Sequence, residues 1–483
     1  MRNRFNVQYE LGATPIERIE IPLDSRDQLP PVLRALQYIY TTPELHEQVF
    51  QLLEANITAD SNPTGRPGMS LWEILVFGAV RLSLDEDYDR LHYIANFDRL
   101  IRSLVGIHDF GIKLKNYPLQ TLKDNVRLLD EEMLNQINDW VVDAGHCLLN
   151  ADQLAVKVDS YVLETNVHFP TDLNLLWDAS RKCIALVSQM CEALQLAGWR
   201  KYKAWRHQLK SAYHRAAKRS QGNGKNTAAG LHAVVDYLAR AQELSEKLNP
   251  SIEVIYSLID LADFNSNKFN NLLYFKQQLD KQIDLVRRRL ILKQDIPHQE
   301  KIFSLFEPHT EWIKKGKTRI AVELGLRIAI AADQYGFILG HRVMKQEQDV
   351  DIAIPFTKAL VAKKSIHSVS FDKAFWSPKN HNELKSLVPE LIMPKKGKLN
   401  QPEYQREHTQ RFTELRRKHA AVESAINCLE HHGLNRCPDK GIDGFTRYTA
   451  LGVLAYNLHK LGTILLEQDR KQLSKNQALL KAA

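Results

Sequence analysis

The chain has 483 residues, of which 44% are hydrophobic and 25% charged, a globular composition long enough for two to four domains. A chain of this size buries full cores without disulfide or metal staples, and five scattered cysteines exclude a disulfide framework. Lys and Arg number 65 against 57 Asp and Glu, and the resulting +8 suits a polyanionic partner without requiring one. The first residues carry no apolar leader and no apolar run is long enough to span a bilayer, so the expectation is a soluble cytoplasmic protein without a membrane partner.

Residues 1–150 read as helical. The Pro- and Gly-bearing stretch 62–70 is a loop, Ser70 caps a helix over LWEILVFGAVRLSL, and further helical patterns run over 86–107 and about 120–149. Short helices with tight connections make either a helix-turn-helix DNA reader or a bundle packed on the rest of the chain. At 154 the pattern changes to LAVKVDSYVLETNVHF, a β-rich run with Asp159 inside it. From Leu173 to Lys293 the chain is helical again. A hairpin follows over 318–344, turning at DQYG, then a strand HSVSF (367–371) leading into Asp372. A helix over Pro378–Leu387, a strand ELIMPKK, a long helix over 410–432 carrying Glu423 and an apolar helix over 444–466 complete the pattern, before a polar, frayed tail. Without the helical stretch, the order is strand, hairpin, strand, helix, strand, helix. That order fits an α/β fold with an RNase H-like mixed sheet core. The expected divisions are 1–150, a catalytic domain in two pieces (151–180 and 318–466), a helical insertion over 181–317, and a tail over 467–483.

The acids suggest chemistry. Asp159 interrupts an apolar strand, Asp372 ends another, and Glu423 lies among Ala420, Ala421, Val422 and Ile426. A buried carboxylate is costly unless a cation compensates it. Magnesium takes oxygen ligands and keeps several waters, so two or three carboxylates can hold it. Spacing alone leaves open the alternative that these are solvated or salt-bridged acids, as most of the 57 must be.

The local words carry more. DSYVLETNVHFPTDLNLLWDASRK (159–182) has an Asp followed by E-x-N-x-H-x-P-T-D. FDKAFWSPKN (371–380) has an Asp just past a strand, then an aromatic and S-P-x-N, and RRKHAAVESAINCLEHHGLNR (416–436) has V-E-S before a helix ending in Gly-Leu. Over roughly residues 60–465 the chain resembles the DDE transposases of bacterial insertion sequences, with the ISNCY-like members nearest. The resemblance implies that Asp159, Asp372 and Glu423 hold Mg2+, with Mn2+ able to substitute. It also implies double-stranded DNA as substrate, both terminal inverted repeats and target, a homo-oligomer assembled on it, and a place at the nucleoid. Cleavage and strand transfer at element ends would be the reaction. The competing readings are an RNase H-fold nuclease without joining activity and a non-catalytic DNA-binding derivative. Two departures stand out. Ala374 occupies a position where the family usually has Gly, and Arg416, His419 and Glu430 replace the Tyr, Arg and Lys of a signature found in related transposases.

Glu164, Asn166 and His168 follow the first acid closely and either support it or form a strand-to-helix turn, with Asp172 favoured over Thr171 as the helix cap. Asn427 falls one turn after Glu423. The segment 198–225 holds Arg200, Lys201, Lys203, Arg206, Lys210, Arg215, Lys218, Arg219 and Lys225, with no acid among residues 200–225. Trp199, Tyr202, Trp205 and Tyr213 interleave with them. Phosphate contact with base stacking is the favoured reading, and a solvated helix with an aromatic packing stripe is the alternative. Cys428, His431, His432 and Cys437 lack the paired spacing of a zinc site. Without a Walker or G-x-G-x-x-G motif, no nucleotide cofactor is expected.

Overall fold

A computed structural model describes residues 2–5, 14–58, 68–107, 115–220, 227–258, 265–314 and 322–482. Most of the loop at 62–70, the first residues of the hairpin stretch, and Lys225 lie outside them. The chain divides into two compact units, Met1–Asn166 with Ile313–Ala483, and Val167–Trp312. Each has its own apolar core.

Among the described residues, the α-helices that open the first unit are α1 (Leu29–Thr41), α2 (Pro43–Ile57), α3 (Leu71–Ser83), α4 (Tyr88–Phe97), α5 (Arg99–Leu104), α6 (Leu119–Val126) and α7 (Glu131–Leu149). Ser70 begins α3 with a reciprocal cap: its side chain accepts from the Glu73 backbone, while Glu73 reaches back to the Ser70 nitrogen. Every residue of α3 is buried, so no face of it is free to enter a DNA groove. These helices share one core with the sheet, so 1–150 is not a compact unit of its own. The reason is that α1, α3 and α7 bury their apolar stripes on the last helix of the chain.

Seven strands form one sheet, β1 (Leu154–Thr165), β2 (Glu311–Lys314), β3 (Val322–Ala332), β4 (Ile338–Met344), β5 (Ile366–Phe371), β6 (Glu390–Ile392) and β7 (Arg436–Cys437). Their order is β2-β3-β1-β5-β6, with β4 also on β3 and β7 on β1. β3 runs antiparallel to β1 and β4 antiparallel to β3, whereas β5, β6 and β7 extend the sheet in parallel. The β3–β4 turn is the expected DQYG: Asp333 accepts from the Tyr335 and Phe337 nitrogens, and Gly336 takes φ +87°.

The second unit is a helical bundle. After α8 (Asp172–Ala193) come α9 (Tyr202–Arg219), α10 (Ala228–Leu258) and α11 (Asn265–Val286). The cap of α8 is Thr171 rather than Asp172, paired with Asn174 in a capping box. Asp172 is free to bind Arg289 because it sits one residue inside the helix.

Back in the first unit, α12 (Asp349–Val361) lies between β4 and β5, and α13 (Pro378–Leu387) lies between β5 and β6. Next come α14 (Gln401–Glu407), α15 (Gln410–His419), α16 (Ala421–Leu429) and α17 (Gly441–Ala482). Two expectations change here. The helix over 410–432 is broken at Ala420, where α15 ends and α16 starts. The tail is not frayed: α17 is continuous for 42 residues, because no Gly or Pro after Gly462 interrupts it. Among the described residues, no helix is long and apolar enough to cross a membrane.

Candidate functional site

The site grows out of one edge of β1. On one side β1 pairs with β3 from Lys157 to Glu164. On the other, its pairing with β5 ends at Val158–Phe371, and pairing with β7 begins at Glu164–Arg436. Among the described residues, 159–163 therefore have no strand partner on that side, beside the carboxyl end of β5. Asp159 is the first residue of that gap. Asp372 follows Phe371 directly, so continuing the parallel register sets it beside Asp159. It begins a short 3-10 turn through Ala374, and Ala374 is not among the residues of positive φ, so that turn does not need glycine. Glu423 sits in the first turn of α16, whose buried Val422, Ala425, Ile426 and Leu429 pack on β1 and β3.

Burial pushes the Asp159 carboxyl from 3.8 up to about 6, and the negative charges of Asp372, Asp349 and Glu423 push the same way. One backbone hydrogen bond, from the Ser160 nitrogen at 2.8 Å, pulls against them. The three expected acids are thus electrostatic neighbours, and a fourth joins them. Asp349, at the start of α12, accepts a hydrogen bond from the Ser160 hydroxyl at 2.6 Å. Asp372 and Glu423 are solvent-exposed and make no ion pair with a described residue. Among the described residues, no three His, Cys, Asp or Glu side chains are arranged to hold a metal ion. The donors are nonetheless the oxygen set a hard divalent cation takes, and exposed carboxylates turn about their side-chain bonds at little cost.

His419, the last residue of α15, is the group that sequence reasoning left without a role. Its Nδ1 is 2.9 Å from the Ser370 hydroxyl on β5, and its Nε2 is enclosed without a hydrogen-bond partner. Burial lowers its pKa against the pull of Asp372 and Glu423. Lys157, on the same face of β1 as Asp159, donates to the Asp333 carbonyl at 3.0 Å and is held toward the hairpin.

The other expected residues are spread out. Glu164 pairs with Arg436 at 2.8 Å, and the Asn166 nitrogen donates to the Cys437 carbonyl, so both fasten β1 to β7. Asn427 is exposed on α16, one turn beyond Glu423. His168 belongs to the second unit, where its Nε2 is 2.6 Å from buried Asp178, which Arg181 also binds. That network gives His168 a structural place.

Arg200 and Lys201, just before α9, and Lys203, Arg206, Lys210, Lys218 and Arg219 on it are exposed and make no ion pair with a described residue. Arg215 differs, being paired with Asp236 at 2.9 Å. The aromatics between them turn inward: Trp199 is buried, Trp205 and Tyr213 pack on the bundle core, and Tyr213 stacks on Trp177. They are packing residues, which removes base stacking from this helix and leaves its cations. Cys437 donates to the Asp439 carbonyl, and the His432 Nδ1 lies by the Ser83 carbonyl, so neither side chain is spare.

Comparison with known proteins adds no relative: no family model matches the chain, and neither curated proteins nor solved structures give a match.

Proposed function

We propose that this chain is a metal-dependent DNA transposase of the DDE type, cutting and joining strands at the ends of an insertion sequence. The observation that carries the reading is Asp159. It is a half-buried carboxylate, pushed up to about 6, with Asp372, Asp349 and Glu423 adding to the shift and no ion pair to a described residue. A carboxylate so placed is costly in its charged form unless a cation compensates it. Asp159, Asp372 and Glu423 would hold Mg2+ or Mn2+, which when bound activates the attacking oxygen and stabilises the leaving one.

The strand order supports the finer fold reading, since a central β1 flanked by an antiparallel hairpin and by parallel β5 and β6 is the arrangement of an RNase H-like core. The quoted words around the acids support DNA as the substrate, first as terminal repeats and then as target, with copies of the chain assembled on it. The exposed cations of α9 supply sequence-blind phosphate contacts. The chain's own task is positioning. β1 and β5 fix two carboxylates, α16 brings the third, and Ser160 orders two acids at once through its nitrogen and hydroxyl.

The test is cleavage and joining of a duplex bearing the inverted repeats that flank the gene, with Mg2+ or Mn2+. Nicked and joined products are expected, reduced at least about a hundredfold by Asp159→Asn. Cleavage without joining would identify a nuclease. Unimpaired cleavage by the Asn variant would overturn the assignment.

A further inference from the structure

Of the eight Lys and Arg residues between 395 and 418, three are neutralised. Lys395 binds Glu403 at 2.7 Å, Arg406 binds Glu407 at 3.1 Å and Arg411 binds Glu390 at 2.8 Å. The pattern stops at the last turn of α15. Arg416, Arg417 and Lys418 are consecutive, exposed, and form no ion pair with any described residue. They do not bridge to the acids either, although the Ala420 break and Glu423 follow at once. Their place is fixed by α15 packing on β5 and β6 and by His419, anchored to Ser370 on β5. The charge of Lys418 is felt by Lys157, two residues before Asp159 on β1. Free cations therefore end the helix that packs on β5, the strand that runs directly into Asp372. A helix C-terminus favours cations, which accounts for their stability there but not for their lack of partners.

We propose that Arg416, Arg417 and Lys418 form a phosphate-binding rim that lays a nucleic-acid backbone across the acid cluster. The inference rests on the reading of those acids as a DNA-processing site. Its chemistry is that of a phosphodiester strand. The arginine forks take non-bridging oxygens in pairs, Lys418 adds a point charge, and bases are not read. The rim belongs to the unit that carries the acids, so it acts next to the bond to be broken, whereas the α9 cations belong to the other unit.

The experiment is equilibrium binding of a random-sequence duplex to the full chain in EDTA over a range of salt, which removes metal chemistry from the readout. Two variants are compared: Arg416→Ala/Arg417→Ala/Lys418→Ala, and Arg26→Ala/Lys471→Ala/Lys475→Ala. The second removes the same charge from exposed, unpaired positions of the same unit. Loss of three phosphate contacts flattens the slope of log affinity against log salt by about 3, and weakens binding on the order of a hundredfold near physiological salt. The control is expected to keep the wild-type slope. A rim variant with the wild-type slope, or a control that flattens it equally, would overturn the rim and leave the enzymatic reading standing. A wild-type chain that binds no duplex would overturn both.

Discussion

Asp159 shows how one half-buried carboxyl costs stability when it is ionised. Its carboxyl is raised from 3.8 to about 6, mainly by burial. A group whose folded pKa is raised favours the protonated fold. The stability it contributes is complete below about 3.8 and is lost as pH rises through 6. At neutral pH the ionised side chain therefore costs on the order of 2–3 kcal/mol, after allowance for its residual solvent contact. Asp159→Asn keeps an oxygen that can accept from the Ser160 nitrogen and removes the charge. It is expected to raise the melting temperature at pH 7–8 and to leave it unchanged near pH 4. A variant less stable than wild type at pH 8 would mean that the carboxylate is already compensated.

The three acids were legible as residues because each stood in an apolar strand or helix surface beside a recognisable word. Asp349 was not, because it starts a helix interrupted in sequence by Pro355, and nothing local links it to Ser160 on another element. Tertiary pairing alone makes it part of the site. The aromatics of α9 misled in the opposite way, since spacing cannot distinguish a stacking platform from a packing stripe.

At the scale of elements, the strands and most helices follow from periodicity and caps, and the turn DQYG forms where its residues require it. The exceptions have identifiable causes. α12 escaped notice because of its internal proline, and α15 and α16 read as one helix because Ala420 is itself a good helix former. β7, at two residues, is too short to show a period, yet it pairs with the far end of β1. Beyond β7, Asp439 ties the end of the sheet to the helical layer. It binds Arg81 of α3 at 2.9 Å and Arg447 of α17 at 3.2 Å, and the Arg81 guanidinium lies 3.9 Å above the Tyr88 ring. Arg81 is only 3% exposed, so removing its partner strands a buried charge. Asp439→Ala should cost about 3–5 kcal/mol by denaturant unfolding. A loss below about 1 kcal/mol would show that Arg447 and Tyr88 do not depend on the ion pair.

The chain is built as two units. One holds the acids and Arg416–Lys418, and its core absorbs the N-terminal helices that the sequence pattern assigns to a region of their own. The other is a bundle inserted after β1, with an exposed row of cations and a core that includes the α9 aromatics. That an insertion follows the first strand was readable from the change in periodicity. Its limits at 167 and 312 depend on which residues pack together. The account stands or falls on a divalent cation binding at the acids beside β5. Calorimetric titration of Mn2+ into the metal-free full chain measures this directly. Saturable binding that disappears in Asp159→Asn and weakens in Asp372→Asn and Glu423→Gln, all three folded, is the predicted result. Mn2+ binding that is absent in wild type, or equal in wild type and the Asp159 variant, would contradict it.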